Sequence, residues 1–476
     1  MYTFLISVTL LIGSYFVYGK VFEKIFGIDE KAITPALKYN DGVDYVPMQW
    51  WRIYLIQFLN IAGLGPIFGA IAGAMWGPPA FLWIVFGCIF GGAMHDYFSG
   101  MLSLRQDGLS LPEIIGKYLG KNAKTFVNIF TILLLILVGT VFIMGPAKIL
   151  TMVTPAYFDF TFWTVIIIIY YILATLLPID KLIGKIYPIF GFALLFMALG
   201  ISIAMIVEGI KIPEVTWANL TNMHTNSKDF PIFPMLFVTV ACGAISGFHA
   251  TQSPLMARCI TNEKYGRRVF MGAMLSEGIV ALIWAAIAMG FFGGVKELND
   301  TMIAQKGNAA WIVNIISNTL LGKVGGVLAL LGVVACPITT GDTAFRGARL
   351  TIADYFNIDQ KKLTTRVLTA LPLFAISILL TQINFDIIWR YMAWSNQTLS
   401  VVTLLTITVY LYQEKKNYWI SLIPTIFMAA VSINYILMAP EGFRLNLATS
   451  FTIFCGFLIS AIVYYFYKTK KSAANR

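Results

Sequence analysis

Residues 60–73 read NIAGLGPIFGAIAG and lie inside an apolar run from Trp51 to Trp76. A run of that length can cross a bilayer, which takes ~20 residues. Its middle is poor helix material, because Gly63, Gly65 and Pro66 fall together and both residue types destabilise a helix interior. Non-helical backbone at membrane depth persists only where protein or a watery cavity satisfies its N–H and C=O groups. An interrupted span therefore points to a helix that lines a substrate pathway. Gly65, Gly69 and Gly73 also recur every fourth residue, the small-residue spacing of close helix contacts. That packing role accounts for these three glycines but not for Pro66 or Gly63.

Composition settles the medium. The 476 residues are 58% hydrophobic and 12% charged, with a mean hydropathy of +0.77, whereas soluble domains carry about 25% charged residues. This is the profile of an all-α polytopic membrane protein. The five cysteines form no CxxC motif and fall mostly in apolar runs, so they read as small core residues and not as a zinc site. Three histidines make a multi-histidine metal site improbable, and neither metal nor other cofactor is expected. The first apolar segment, Tyr2–Tyr18, has no basic residue before it and no small-residue cleavage site after it. It reads as a retained helix and not a signal peptide.

Length and apolarity give about thirteen spans. They fall at 2–18, 51–76, 80–104, 125–147, 162–177, 186–207, 232–256, 269–292, 324–343, 367–380, 391–412, 419–438 and 447–467. With this count, 26 of the 34 basic residues lie on the side of the C-terminal tail and 8 on the other. The positive-inside rule then places the N-terminus outside and the C-terminus in the cytoplasm. Basic loops facing anionic lipid account for the net charge of +11 without any nucleic-acid partner. Two connectors have amphipathic helical patterns, 109–119 at the inner interface and 308–321 outside, the latter a lid or an interfacial helix.

The seventh span carries a second interruption. In TVACGAISGFHATQSP (239–254), Gly243 and Gly247 lie four apart and are followed by His249, Thr251, Gln252, Ser253 and Pro254. Spans two and seven are both broken and five spans apart, so they cross the membrane in opposite directions. That is the sequence trace of a five-plus-five inverted repeat. The expected core is 51–412, divided into repeats 51–207 and 232–412. Residues 1–20 would add one helix before it, and 413–476 two helices and a basic cytoplasmic tail.

Five stretches carry a resemblance: NIAGLGPIFGAI (60–71), GPPAFLWIVFG (77–87), HDYFSGMLSLR (95–105), GFHATQSPLMARC (247–259) and CPITTGDTAFRGARLTIAD (336–354). In these motifs and their order the chain resembles the carbon starvation protein A family of bacterial and archaeal membrane transporters, many of which are longer. The resemblance implies a LeuT-type core in the plasma membrane. It also implies uptake of short peptides or pyruvate during nutrient limitation, driven by a cation gradient, with protons the favoured cation.

Depth sorts the polar residues. Counting ~1.5 Å per residue from the cytoplasmic helix ends puts Asn60 and His95 ~13 Å in, Glu277 ~12 Å, His249 ~10 Å, and Thr339 and Thr340 ~9 Å. Ionisable groups at such depth are costly and normally pair or line a pathway. The substrate-binding candidates are Asn60, Gly63, Gly65, Gly243, Ser246, Gly247, His249 and Gln252. The ion-coupling candidates are Ala62, Thr339, Thr340, Asp342, Glu277 and His95. His249 stands beside a break and is the side chain that titrates near neutral pH. Pro337 loosens the ninth span, where hydroxyls and freed carbonyls suit Na⁺ and Asp342 suits a proton. A secondary-active importer of short peptides or pyruvate-like carboxylates leads. A Na⁺-coupled amino-acid transporter is the alternative, and a channel the weaker one, since the polar groups cluster in one band and form no continuous lining. No HExxH, GxSxG or P-loop appears, so neither hydrolase chemistry nor ATP hydrolysis is expected within this chain.

Overall fold

The apolar runs become helices, and their breaks fall where glycine and proline cluster. In this computed structural model the described backbone comprises residues 1–176, 179–360 and 362–474, and the described side chains exclude 175–186, 323–325, 328–330 and 461–474. Of the charge count, Lys361 and Arg476 therefore lie outside the described residues, and the side chains of Lys181, Lys185, Lys323, Lys468, Lys470 and Lys471 are not described. Among those described there is no strand. Among the described residues, seven helices are long and apolar enough to cross a membrane, and a bent pair makes an eighth. The remaining apolar stretches form helices that are shorter, kinked or richer in polar residues, including Phe160–Leu176, Ala309–Ala329 and Phe385–Gln413.

The bent pair is the first interruption. Helix Trp50–Ile61 stops at Ala62, and the chain resumes as Gly65–Trp76 after a 54° turn. The second break separates the helical segment 232–239 from Gly247–Ala257, leaving 240–246 non-helical with Gly243 at φ +93°. The two broken helices cross through the glycines of the first. A Cβ on Gly65 would lie 2.2 Å from the Cys242 Cβ, one on Gly69 2.8 Å from the Thr239 carbonyl oxygen, and one on Gly73 2.1 Å from Val240 Cγ2. The four-residue glycine spacing is thus a helix-crossing face, and the same segment is also the unwound one.

Around this crossing pack the long helices Lys121–Val153, Glu263–Phe291 and Cys336–Phe356. The Cys336–Phe356 helix runs thirteen residues past the expected end at 343, because its buried residues Ala344, Phe345 and Ala348 continue the face that packs on Lys121–Val153. The inner amphipathic pattern forms helix Leu111–Leu119. The outer one opens helix Ala309–Ala329, kinked at Gly322, where φ is +58°.

Candidate functional site

Unwinding frees backbone carbonyls, and each break finds them partners. At the first, the Thr340 hydroxyl donates to the Leu59 carbonyl at 2.9 Å and the Cys336 thiol to the Ala62 carbonyl at 3.2 Å. At the second, Trp83 Nε1 donates to the Val240 carbonyl at 3.0 Å and Gln397 Nε2 to the Phe237 carbonyl at 3.2 Å. The lower half-helix starts at Gly247, whose missing Cβ lets the Phe385–Gln413 backbone approach, since that atom would meet Ser400 N at 2.4 Å. Asn396 caps it: the Phe248 N–H donates to Asn396 Oδ1 at 2.6 Å, and Asn396 Nδ2 donates to Ser246 Oγ at 2.8 Å. The first N–H of this half-helix is therefore already satisfied by a side-chain amide.

Two residues beyond the cap, His249 enters a fully buried ionisable cluster. Its Nδ1 lies 2.8 Å from Asp96 Oδ2, while His95 Nδ1 lies 2.7 Å from the other Asp96 oxygen. Its Nε2 lies 3.3 Å from Glu277 Oε2. All four side chains are wholly excluded from solvent. A carboxylate only accepts, so both Nδ1 atoms carry hydrogen. His249 Nε2 and Glu277 face each other with no hydrogen bond between them, and the contact is attractive when the pair holds one proton, because an imidazole lone pair facing a carboxylate would be repulsive. With that proton in place the cluster carries one net negative charge, and a further proton neutralises it. Cys242, His249 and Glu277 place their ligand atoms within 4.8 Å of one another, so they also form a set able to hold a metal ion.

The sequence candidates thus separate into two places. His95 and His249 meet through Asp96, and Glu277 joins them on the far nitrogen of His249. Thr340 and Ala62 meet at the first break, together with Cys336. Asp342 joins neither: it accepts from the Tyr187 hydroxyl at 2.6 Å. The Thr339 hydroxyl returns to its own helix, donating to the Cys336 carbonyl at 2.7 Å. Asn60 is fully buried with no side-chain partner among the described residues, as is its neighbour Gln57. Gln252 Nε2 donates to Thr251 Oγ1 at 3.1 Å. Gly63 gives room to the Phe142 ring, and Gly243 to Ala281. Asp96, Cys336, Asn396 and Gln397 were not among the candidates. The run SNQ at 395–397, polar in mid-span, was the signal for two of them.

A cavity of about 750 Å³ opens between the upper halves of both broken helices, walled by Phe68, Ala72, Val238 and Thr239 among others. His224, from the loop above, lines it with its ring 4.6 Å from Trp76. Burial lowers the His224 pKa from its ordinary value.

Comparison with known proteins gives a family and a fold. The family model described as carbon starvation protein CstA matches residues 1–161 and 150–319. An uncharacterized membrane protein of Haemophilus influenzae is 45% identical over 64% of this chain and 95% of its own length. The peptide transporter CstA of Escherichia coli is 24% identical over 88% of this chain and 78% of its own. The pyruvate/proton symporter BtsT of Escherichia coli is 26% identical over 58% and 47%. In fold, the chain is similar to MhsT in complex with L-phenylalanine, with a TM-score of 0.58 at 14% identity over 81% of this chain and 99% of that one.

Proposed function

We infer that this chain, which belongs to the carbon starvation protein CstA family, is a secondary-active, proton-coupled importer of short peptides or small carboxylates. The reading takes residues 51–412 as a five-plus-five inverted repeat within about thirteen spans, the N-terminus outside. The observation that carries it is the buried Asp96–His249–Glu277 cluster, whose His249 lies three residues beyond the second break. Buried ionisable groups in a membrane protein mark ion or proton pathways. The cluster joins three helices, one of them a half-helix, so its protonation can bias which packing the half-helix adopts.

Na⁺ coupling has weaker support. The carbonyls that would ligate it, Leu59 and Ala62, already accept from Thr340 and Cys336. Relatives named for peptide transport and for pyruvate/proton symport leave both substrate classes in play.

Proteoliposomes test this reading. Labelled dipeptide or pyruvate should accumulate under an imposed inward proton gradient and not under a Na⁺ gradient alone. Asp96→Asn should retain counterflow exchange and lose gradient-driven accumulation. Na⁺-driven accumulation in the native protein, or undiminished proton-driven accumulation in Asp96→Asn, would refute it.

A further inference from the structure

The outer cavity has a chemistry of its own. Of the eight basic residues assigned to the outer side, three (Lys148, Lys306 and Arg390) line this one cavity. Arg390 is held, its Nε 3.2 Å from Glu441 Oε2, and the Tyr435 hydroxyl donates to the same carboxylate at 2.6 Å. Lys148 is different. It is half-buried, its Nζ sits 4.3 Å from the Phe385 ring centroid, and among the described residues it forms no salt bridge within 4.0 Å, its nearby opposite charge being Asp386. A partly desolvated ammonium over an aromatic face, at the wall of a cavity, is a ready partner for a carboxylate.

Size and lining narrow the ligand. At the ~30 Å³ liquid share of a water for each heavy atom, a six-atom monocarboxylate takes roughly 200 Å³. The cavity holds about 750 Å³. Its walls include Phe68, Trp76, Phe230, Phe385 and Trp389, apolar surface that such a small anion would not cover. Asp386, an exposed residue lining the same cavity near enough to act on the Lys148 charge, supplies the opposite sign. Cation, aromatic walls and acid together match a zwitterion with apolar side chains.

The geometry points to this cavity as the outer docking site for a short peptide, with the C-terminal carboxylate on Lys148, side chains on the aromatic walls and the ammonium toward Asp386. The inference rests on the importer reading and names its substrate class.

The test is equilibrium binding, which needs no gradient and so fails independently of the coupling mechanism. Isothermal titration calorimetry on the full chain in lipid nanodiscs at pH 7 would compare alanyl-phenylalanine, its C-terminal amide and pyruvate. The free acid should bind at least about tenfold tighter than the amide, the scale of one lost charge-assisted hydrogen bond. Lys148→Gln should abolish the acid–amide difference, whereas Lys148→Arg should keep it. Equal affinity for acid and amide, an acid–amide difference that survives Lys148→Gln, pyruvate binding as tight as the peptide, or no peptide binding at all would each overturn the assignment. Accumulation of pyruvate in liposomes alongside that failure would leave the importer reading standing and this site refuted.

Discussion

Gly65→Ala is the most direct test of the helix crossing. The added methyl would sit 2.2 Å from the Cys242 Cβ and 2.4 Å from its Sγ. Rotating the Cys242 side chain moves the sulfur but not the Cβ, so relief has to come from the backbone. Ordinary carbon contact lies near ~3.7 Å, so the two broken helices would have to separate by about 1.5 Å at their crossing. Overpacking of this kind costs about 1–3 kcal/mol. The strain falls on the non-helical segment 240–246, which leads into the half-helix that carries His249. We expect Gly65→Ala to lower the melting temperature of purified protein by a few degrees, about 2 °C per kcal/mol for a chain this large, and to cut initial uptake in liposomes strongly. Cys242→Gly removes the clashing Cβ, so Gly65→Ala/Cys242→Gly should recover most of both losses, a coupling of about 1–3 kcal/mol between contacting sites. Native-like melting and uptake in Gly65→Ala, or a double variant as poor as the single, would refute the crossing geometry.

Two further outcomes follow from the same structure. Asn396→Ala removes the cap on Gly247–Ala257; it should cost about 1 kcal/mol, seen as a lower melting temperature, while Asn396→Asp, which keeps the acceptor but buries a carboxylate and loses the donation to Ser246, should lose at least as much. For topology, cysteines in place of the exposed Lys306 and Lys415 should be labelled by a membrane-impermeant maleimide in intact cells only at position 306; labelling at 415 alone would reverse the orientation.

Sequence reading located both breaks because glycine and proline act through the local backbone, and Gly63–Pro66 and Gly243–Gly247 interrupt their helices where they stand. Depth counting brought His95, His249 and Glu277 to a common level, since ~1.5 Å per residue holds along any helix. It could not say which way each side chain pointed. Asp342 shares a helix with Thr340, yet lies two residues on, about 200° around the axis, and so reaches Tyr187 instead of the first break. Asp96 was harder to single out. Beside His95 in sequence it reads as a local pair, and only the packing of Pro79–Arg105 against Gly247–Ala257 shows its second oxygen on His249. Asn396 follows the same pattern: an amide in mid-span is a visible cost, but the half-helix it caps is 148 residues away in the chain.

The arrangement also explains why a proton would have mechanical leverage on the proposed reading. The lower half-helix Gly247–Ala257 is held near its start by two kinds of polar attachment. Asn396 grips its first turn through neutral hydrogen bonds that do not change with pH between 5 and 8. His249 grips it through Asp96, and its Nε2 faces Glu277 without a hydrogen bond, a contact that attracts while the pair holds one proton. Removing that proton turns an attraction at 3.3 Å into a repulsion between an imidazole lone pair and a carboxylate, both cut off from water. Dielectric screening is weak there, so the change is felt by the helix and not absorbed by solvent. The upper segment 232–239 has no titratable side chain and is tied instead by Gln397 to the Phe385–Gln413 helix. A proton would therefore act on one half of the broken helix and leave the other, which walls the outer cavity, in place. Alternating access needs that asymmetry, because the inner and outer sides of a site must respond differently to the same ion.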